Sequence, residues 1–191
     1  MSRVPVLALS KWAHHSWLPR GVPALTERAQ ADANARLLMR FPQLIVMHAI
    51  PPEPWVAALP RPACAKVLRV AAALAHARSL RRVISGAAHG TFAAVIAPGV
   101  LSAIQRDSRG EYEDADLGVM LNVFDRSDMT AAGLRLALHA LGDPALHVLT
   151  ELRLPCAVAQ RAALFRVSGM SVQNAGDVLD AAYALAGGKA C

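Results

Sequence analysis

Gly142-Asp143-Pro144 separates two leucine- and alanine-rich stretches, and this constrains the fold more than any other feature of the chain. Glycine readily ends a helix, aspartate offers its carboxylate to the free amides of the next one, and proline suits a first helical turn. Upstream, Thr130, Leu134, Ala137, Leu138 and Leu141 fall on one helical stripe, with Arg135 and His139 opposite and Asp128 placed as a cap. Downstream, Leu146, Leu149 and Leu152 line a second helix that Pro155 ends. The two predict an antiparallel helical hairpin.

Helical grammar recurs elsewhere. A helix is expected over 23–40, with Pro23 in its first turn, Glu27 at its positive end, and Ala29, Ala33, Leu37 and Phe41 on one face. Pro42 stops it. The run 43–49 reads as a short strand or a buried turn of helix, since periodicity does not separate them at this length. Prolines at 51, 52, 54, 60 and 62 punctuate a connector carrying Trp55. A second long helix starts near Pro62, with Val67, Val70, Ala71 and Leu74 on one face. Arg78 and Arg81 would fall on that face too, so a break is expected near Arg78. Beyond it, Gly86, Gly90, Gly99 and Pro98 divide short apolar pieces. A last helix is expected from near Asn174, carrying Val178, Ala182 and Leu185, with Gly187-Gly188 freeing the tail. The predicted fold is mainly α: one compact helical domain over 1–191, an irregular Pro-rich N-terminal arm, and at most a minor short β element. The polar stretch 106–116 is the expected exposed loop and a possible subdomain boundary.

Composition bears on what covers this fold. Hydrophobic residues are 54% of 191, charged residues 18% and aromatics 5%, which excludes a disordered chain. The mean hydropathy of +0.32 has two explanations: an alanine-rich core, or an apolar patch that a partner covers. The net charge is +6, but the arginines are scattered, Arg78, Arg81 and Arg82 being the densest group. No basic block marks a nucleic-acid tail, and a solvated surface is expected. Cys64, Cys156 and Cys191 are odd in number, widely spaced and without CxxC, which fits a reducing compartment. No apolar run nears the ~20 residues of a membrane span. Residues 4–9 mimic a signal peptide, but Pro5 interrupts them and Lys11 ends them early. The expected location is cytoplasmic.

Chemistry-bearing residues do not assemble into a recognised pattern. His14 and His15 are adjacent, so their side chains diverge. His139 and His147 flank the hairpin turn, but neither HExxH nor CxxC is present, and Glu151 reads as a surface partner of His147. Glu111, Glu113, Asp114 and Asp116 suit a solvated loop as well as an acid–base pair. Gly169-Met170-Ser171-Val172-Gln173 lacks the last glycine of a nucleophile elbow. Gly187-Gly188-Lys189 has no helix after it and does not form a phosphate loop. No catalytic, cofactor or metal residue is assigned. Trp12, Trp17 and Trp55 all lie in the N-terminal third; each serves as a core anchor or an interface anchor.

One segment carries more information. His14-His15-Ser16-Trp17-Leu18-Pro19 resembles the His-Pro-Ser-Trp/Arg-Leu-Pro segment near the N-terminus of the SctK/YscK/PscK proteins. These are accessory components of the cytoplasmic sorting platform of bacterial type III secretion. In that family a leucine- and alanine-rich helical region follows, and a leucine-arginine-leucine-proline segment closes the C-terminal helical pair. Here Gly133-Leu134-Arg135-Leu136-Ala137-Leu138 leads through Asp143-Pro144-Ala145-Leu146 to Leu152-Arg153-Leu154-Pro155. His15 stands where the family usually has proline, and 51–116 matches no family motif.

The resemblance implies a non-enzymatic adaptor. It would join the pod protein of the SctQ type to the cytoplasmic domain of the inner-membrane ring protein of the SctD type, and through the pods reach the stator and ATPase. It singles out His14, Ser16, Trp17, Leu18 and Pro19 as interaction candidates. Two other classes stand beside it: a small cytoplasmic enzyme using His14, His15 or His139 with the acidic loop, and a basic nucleic-acid-binding helical domain. Replacing Trp17 by alanine is expected to damage folding or assembly, and replacing Glu113 to do little.

Overall fold

The structure, a computed structural model, describes residues 9–18, 26–45, 56–77, 80, 86–96, 98–106 and 125–187. Its helices are α1 (Leu9–Trp12), α2 (Glu27–Arg40), α3 (Arg61–Ala75), α4 (Gly86–Ile96), α5 (Pro98–Arg106), α6 (Arg126–Ala140), α7 (Pro144–Arg153), α8 (Cys156–Ala162) and α9 (Val172–Leu185). Short 3-10 turns cover His15–Trp17, Pro42–Leu44 and Val56–Ala58. Among the described residues the β content is an isolated bridge at Ser168. The fold is mainly α, as the sequence predicts.

Two apolar cores organise these helices. In the larger, α3 and α6 pack against each other, α9 lies against both, and α8 lies against α6. Its fully enclosed members include Leu68, Leu80, Ile104, Met129, Leu134 and Leu136, with alanines between them on both central helices. The alanines have a geometric role. At the closest approach a Cβ on Gly133 of α6 would lie 1.8 Å from the Leu68 carbonyl oxygen of α3. Backbones this near leave space only for small side chains, so part of the high alanine content is explained by the core.

The smaller core holds Ala13, Leu37, Leu44, Ala145, Val148, Leu149 and Leu152. Leu9, Trp12, Trp17, Leu18, Leu38 and Phe41 pack against it. It joins the N-terminal arm, α2 and the Pro42–Leu44 turn to one face of α7. Trp17 touches both cores.

Several boundaries differ from the sequence reading, each for a local reason. The described part of the first long helix begins at Glu27, because the Thr26 hydroxyl accepts the Ala29 amide and caps it there; Pro23 lies outside the described residues. Asp125, not Asp128, caps α6, accepting the Asp128 amide at 2.8 Å. Asp128 sits one turn inside, buried, and forms a two-pronged ion pair with Arg161 of α8. The α6 stripe is also too narrow a description: 128–138 is buried throughout except at half-buried Arg135, because α6 is surrounded by α3, α8 and α9. Ser171 caps α9, which starts at Val172, near the expected Asn174.

The turn at 141–143 restarts the chain as predicted, with Asp143 accepting the Ala145 amide at 2.8 Å and Pro144 in the first turn. The helices it joins do not form the predicted hairpin. Helix α7 contributes its apolar face to the smaller core, while α6 is occupied chiefly by α3, α8 and α9. Gly90 divides nothing, lying inside α4, and Pro98 opens α5, a helix the sequence reading did not propose. Helix α3 ends at Ala75 with His76 as its cap, close to the expected break; Arg78 is outside the described residues. The part of 43–49 that is described is a 3-10 turn. Of the stretch 106–116 expected as a loop, Arg106 ends α5 and 107–116 lie outside the described residues, as do Trp55 and Cys191.

Candidate functional site: the arm and the α7–α8 junction

The junction between α7 and α8 has a hydrogen-bonding problem that begins in its sequence. A helix end leaves carbonyls without intrahelical donors, and a helix start leaves amides without acceptors. Pro155, as the residue preceding α8, has no side chain to cap it. The stretch from Leu152 to Cys156 therefore presents both kinds of unpaired group, the carbonyls of Leu152 and Leu154 and the amide of Cys156.

The N-terminal arm supplies the partners. The His14 amide donates to the Leu152 carbonyl at 2.7 Å. The Trp17 indole donates to the Leu154 carbonyl at 2.7 Å, and the Trp12 indole to the Leu149 carbonyl at 3.0 Å. The Ser16 hydroxyl oxygen accepts the Cys156 amide at 2.8 Å, capping α8 from 140 residues away. Indole is suited to this work because its ring is apolar and its N–H is a single directed donor.

Arginines clamp the same region. Arg153 donates to the Leu59 carbonyl at 2.8 Å, and its guanidinium lies 4.5 Å from the centre of the Trp12 ring. Arg61, in the first turn of α3, donates to the carbonyls of Lys11, Trp12 and Ala13, the last at 2.5 Å. Arg40 stacks 5.2 Å from the Trp17 ring, which meets Phe41 edge-on at 5.9 Å. The same use recurs outside the arm: Arg69 and Arg126 donate to the Val95 and Ala94 carbonyls at the end of α4, and Lys66 to the Ala186 carbonyl after α9. Part of the basic excess thus caps helix ends. Burial, helped by the Arg126 charge, lowers the Arg69 pKa; burial, helped by the Arg61 charge, lowers that of Arg153.

His14 holds the arm's own turn. Its Nδ1 accepts the Ser16 amide at 3.2 Å and lies 2.9 Å from the Ser16 hydroxyl. A nitrogen that accepts an N–H carries no proton, so the hydroxyl donates to it and keeps its oxygen for Cys156. Partial burial, the neighbouring His15 ring and Arg61 all lower the His14 pKa, which favours this neutral form. His15 is exposed and tilted against His14, ring centres 4.0 Å apart.

Of the residues singled out in the sequence, His14, Ser16, Trp17 and Leu18 meet at this junction, and Pro19 lies outside the described residues. Trp12, Arg61 and Arg153 belong with them. Arg153 stood in view within Leu-Arg-Leu-Pro, but nothing in its spacing pointed to Trp12 or Leu59. The histidines of the other turn do not come together on a ligand: His139 Nε2 bonds the Met170 carbonyl and His147 Nε2 the Leu141 carbonyl. Among the described residues no group of three His, Cys, Asp or Glu is placed to hold a metal ion. Glu151 interacts with His147 as expected but is half-buried rather than at the surface; burial raises its pKa against the opposing pull of His147 and Arg135. Cys64 is enclosed and its thiol is pushed up to about 12 by burial, which leaves it unreactive.

The class the structure defines is a helical domain with a clamped N-terminal arm. Among the described residues no helix is long and apolar enough to cross a membrane. Comparison with protein-family models, curated proteins and solved structures finds no match to this chain.

Proposed function

We propose that this chain is a non-enzymatic adaptor of the type III secretion cytoplasmic sorting platform. It would link the pod protein of the SctQ type to the cytoplasmic domain of the SctD-type ring protein, at the cytoplasmic base of the injectisome. One observation carries the reading. Two of the segments that carry the family resemblance, the hexapeptide and Leu152-Arg153-Leu154-Pro155, bond to each other directly through Trp17 and His14, and Ser16 bonds the adjoining residue, Cys156. Residues that form one clamp across 140 positions have a physical reason to occur together. Met39 and Ile45, 84% and 63% exposed beside the smaller core, are apolar side chains that a partner would cover.

Co-purification of the full chain with the pod protein and with the ring protein's cytoplasmic domain tests the proposal. Capture of both by the folded protein is expected, and capture of neither ends it. Met39→Gln and Ile45→Gln should weaken capture while leaving the thermal melt unchanged, which separates a lost surface from a lost fold.

A further inference from the structure

We infer that the cationic face around the arm docks an acidic segment of a partner protein, with Arg40 at its centre and Met39 and Ile45 taking the segment's apolar side chains. Between Asp32 and Asp107 the sequence carries one acidic residue, Glu53, against nine lysines and arginines. The fold brings part of this excess to the arm. Arg61 of α3 and Arg153 of α7 reach the same Trp12 carbonyl, at 3.2 and 3.4 Å. Lys11 stands exposed on α1, its own carbonyl held by Arg61. Arg40 comes from α2, 5.2 Å from the centre of the Trp17 ring and 5.3 Å from that of Phe41. Among the described residues no carboxylate pairs with any of these four cations. Like charges gathered without a counter-charge raise the local potential and draw anions to it.

Arg40 differs from the other arginines. Arg61 and Arg153 spend their donors on backbone carbonyls. Arg40 is exposed, two rings hold its guanidinium, and among the described residues none of its N–H groups has an acceptor. A stacked guanidinium is fixed in orientation while its edge stays open, the geometry that takes a carboxylate through two parallel bonds. Met39 directly precedes it and Ile45 closes the turn that follows, both with exposed side chains. Apolar groups set beside cations match a segment that mixes carboxylates with leucine-like side chains. Nucleic acid is a poorer fit. Single strands bind by stacking bases on open rings, and the rings of Trp12 and Trp17 already carry Arg153 and Arg40.

The inference deepens the adaptor reading and rests on it only for the presence of a protein partner. Fluorescence anisotropy of the full chain with defined probes tests it without the pod or ring protein. One labelled peptide carries glutamates with leucine at every third or fourth position. A second has each glutamate replaced by glutamine, and single-stranded DNA of the same length is the third probe. The glutamate peptide should bind about tenfold more tightly than either other probe, and more weakly as salt is raised. Arg40→Gln should lower its affinity about fivefold. Lys11→Glu should lower it at least as much with the thermal melt unchanged. Arg166→Glu makes the same charge change at an exposed site after α8 and should alter affinity by no more than about twofold. The inference is overturned if the two peptides bind alike or not at all, if DNA binds more tightly, or if Arg166→Glu weakens binding as much as Lys11→Glu. Failure of the peptides with the pod protein still captured removes this inference and leaves the adaptor reading; peptide binding with neither partner captured does the reverse.

Discussion

The two cores are made of different material. The larger one closes by proximity: alanines and Gly133 let α3 and α6 approach until backbone meets backbone at Leu68. The smaller one closes over bulk. Tryptophan, leucine and phenylalanine side chains fill it, and directed bonds from Trp12, Trp17, Ser16 and Arg153 fix where the arm lies. The first arrangement is dense, and an added methyl has nowhere to go. The second is held by clamps, each contributing about 1 kcal/mol, and loosens in steps as they are removed.

The contrast is broken most severely at Gly133. Gly133→Ala should cost ~3 kcal/mol, because the new Cβ meets backbone rather than a side chain able to move aside. Urea unfolding would show it as a lower midpoint at unchanged slope; wild-type stability would mean that the helices separate without penalty. Next comes the shared tryptophan. Trp17→Ala should cost ~2–3 kcal/mol, less than a fully buried tryptophan because Trp17 is only partly buried. Trp17→Phe should cost only ~1 kcal/mol, the share of the bond to Leu154. Hydrogen exchange sharpens the comparison: in Trp17→Phe the Cys156 amide should lose protection, while 134–138 in the larger core keep theirs. Equal loss at both places would mean the cores are a single unit.

Smaller effects are expected at Glu151 and Gly142. Burial raises the Glu151 pKa, so the folded state holds this proton to higher pH than the unfolded chain does. The stabilising effect is complete below the ordinary carboxylate value of about 4.5 and is lost as pH rises through the folded value. Glu151→Gln escapes that loss, so its advantage over the wild type should be absent at pH 4 and grow toward pH 7, read from thermal melts. A constant difference would contradict it. Gly142→Ala should change stability by no more than ~0.5 kcal/mol, because Gly142 has open space around its Cβ position and no left-handed backbone.

How much could be read from the sequence varies between these regions. The capping residues were legible wherever the cap was local: Asp143 with Pro144 behaves as the motif predicts. Choice between neighbouring caps was not, since Asp125 and Asp128 have the same chemistry and only packing on Arg161 assigns the second to the interior. A stripe was read on α6 because an amphipathic surface helix is the common case; a helix enclosed on all sides has no polar face to contrast with. Helices α4 and α5 were missed because glycine and proline at 86, 90, 98 and 99 read as punctuation. The hexapeptide was found as a pattern, and Trp17 in it as an anchor. Its engagement with Arg153's neighbours depended on contacts 137 to 140 positions away.

By itself, the sequence determined that the chain is helical, where proline and aspartate interrupt its later helices, and that Trp17 is an anchor; the arm it read as irregular is, over the described residues, a helical turn at Leu9–Trp12 followed by a 3-10 turn at His15–Trp17. These follow from local energetics: backbone dihedrals, amide loss at proline, and caps within a few residues. Only the tertiary structure decided that α7 leaves α6 to build a second core, that Gly133 marks the closest helix approach, and that Ser16 completes the start of α8. Those choices belong to burial and to the pairing of helix-end groups, which depend on which distant segments meet.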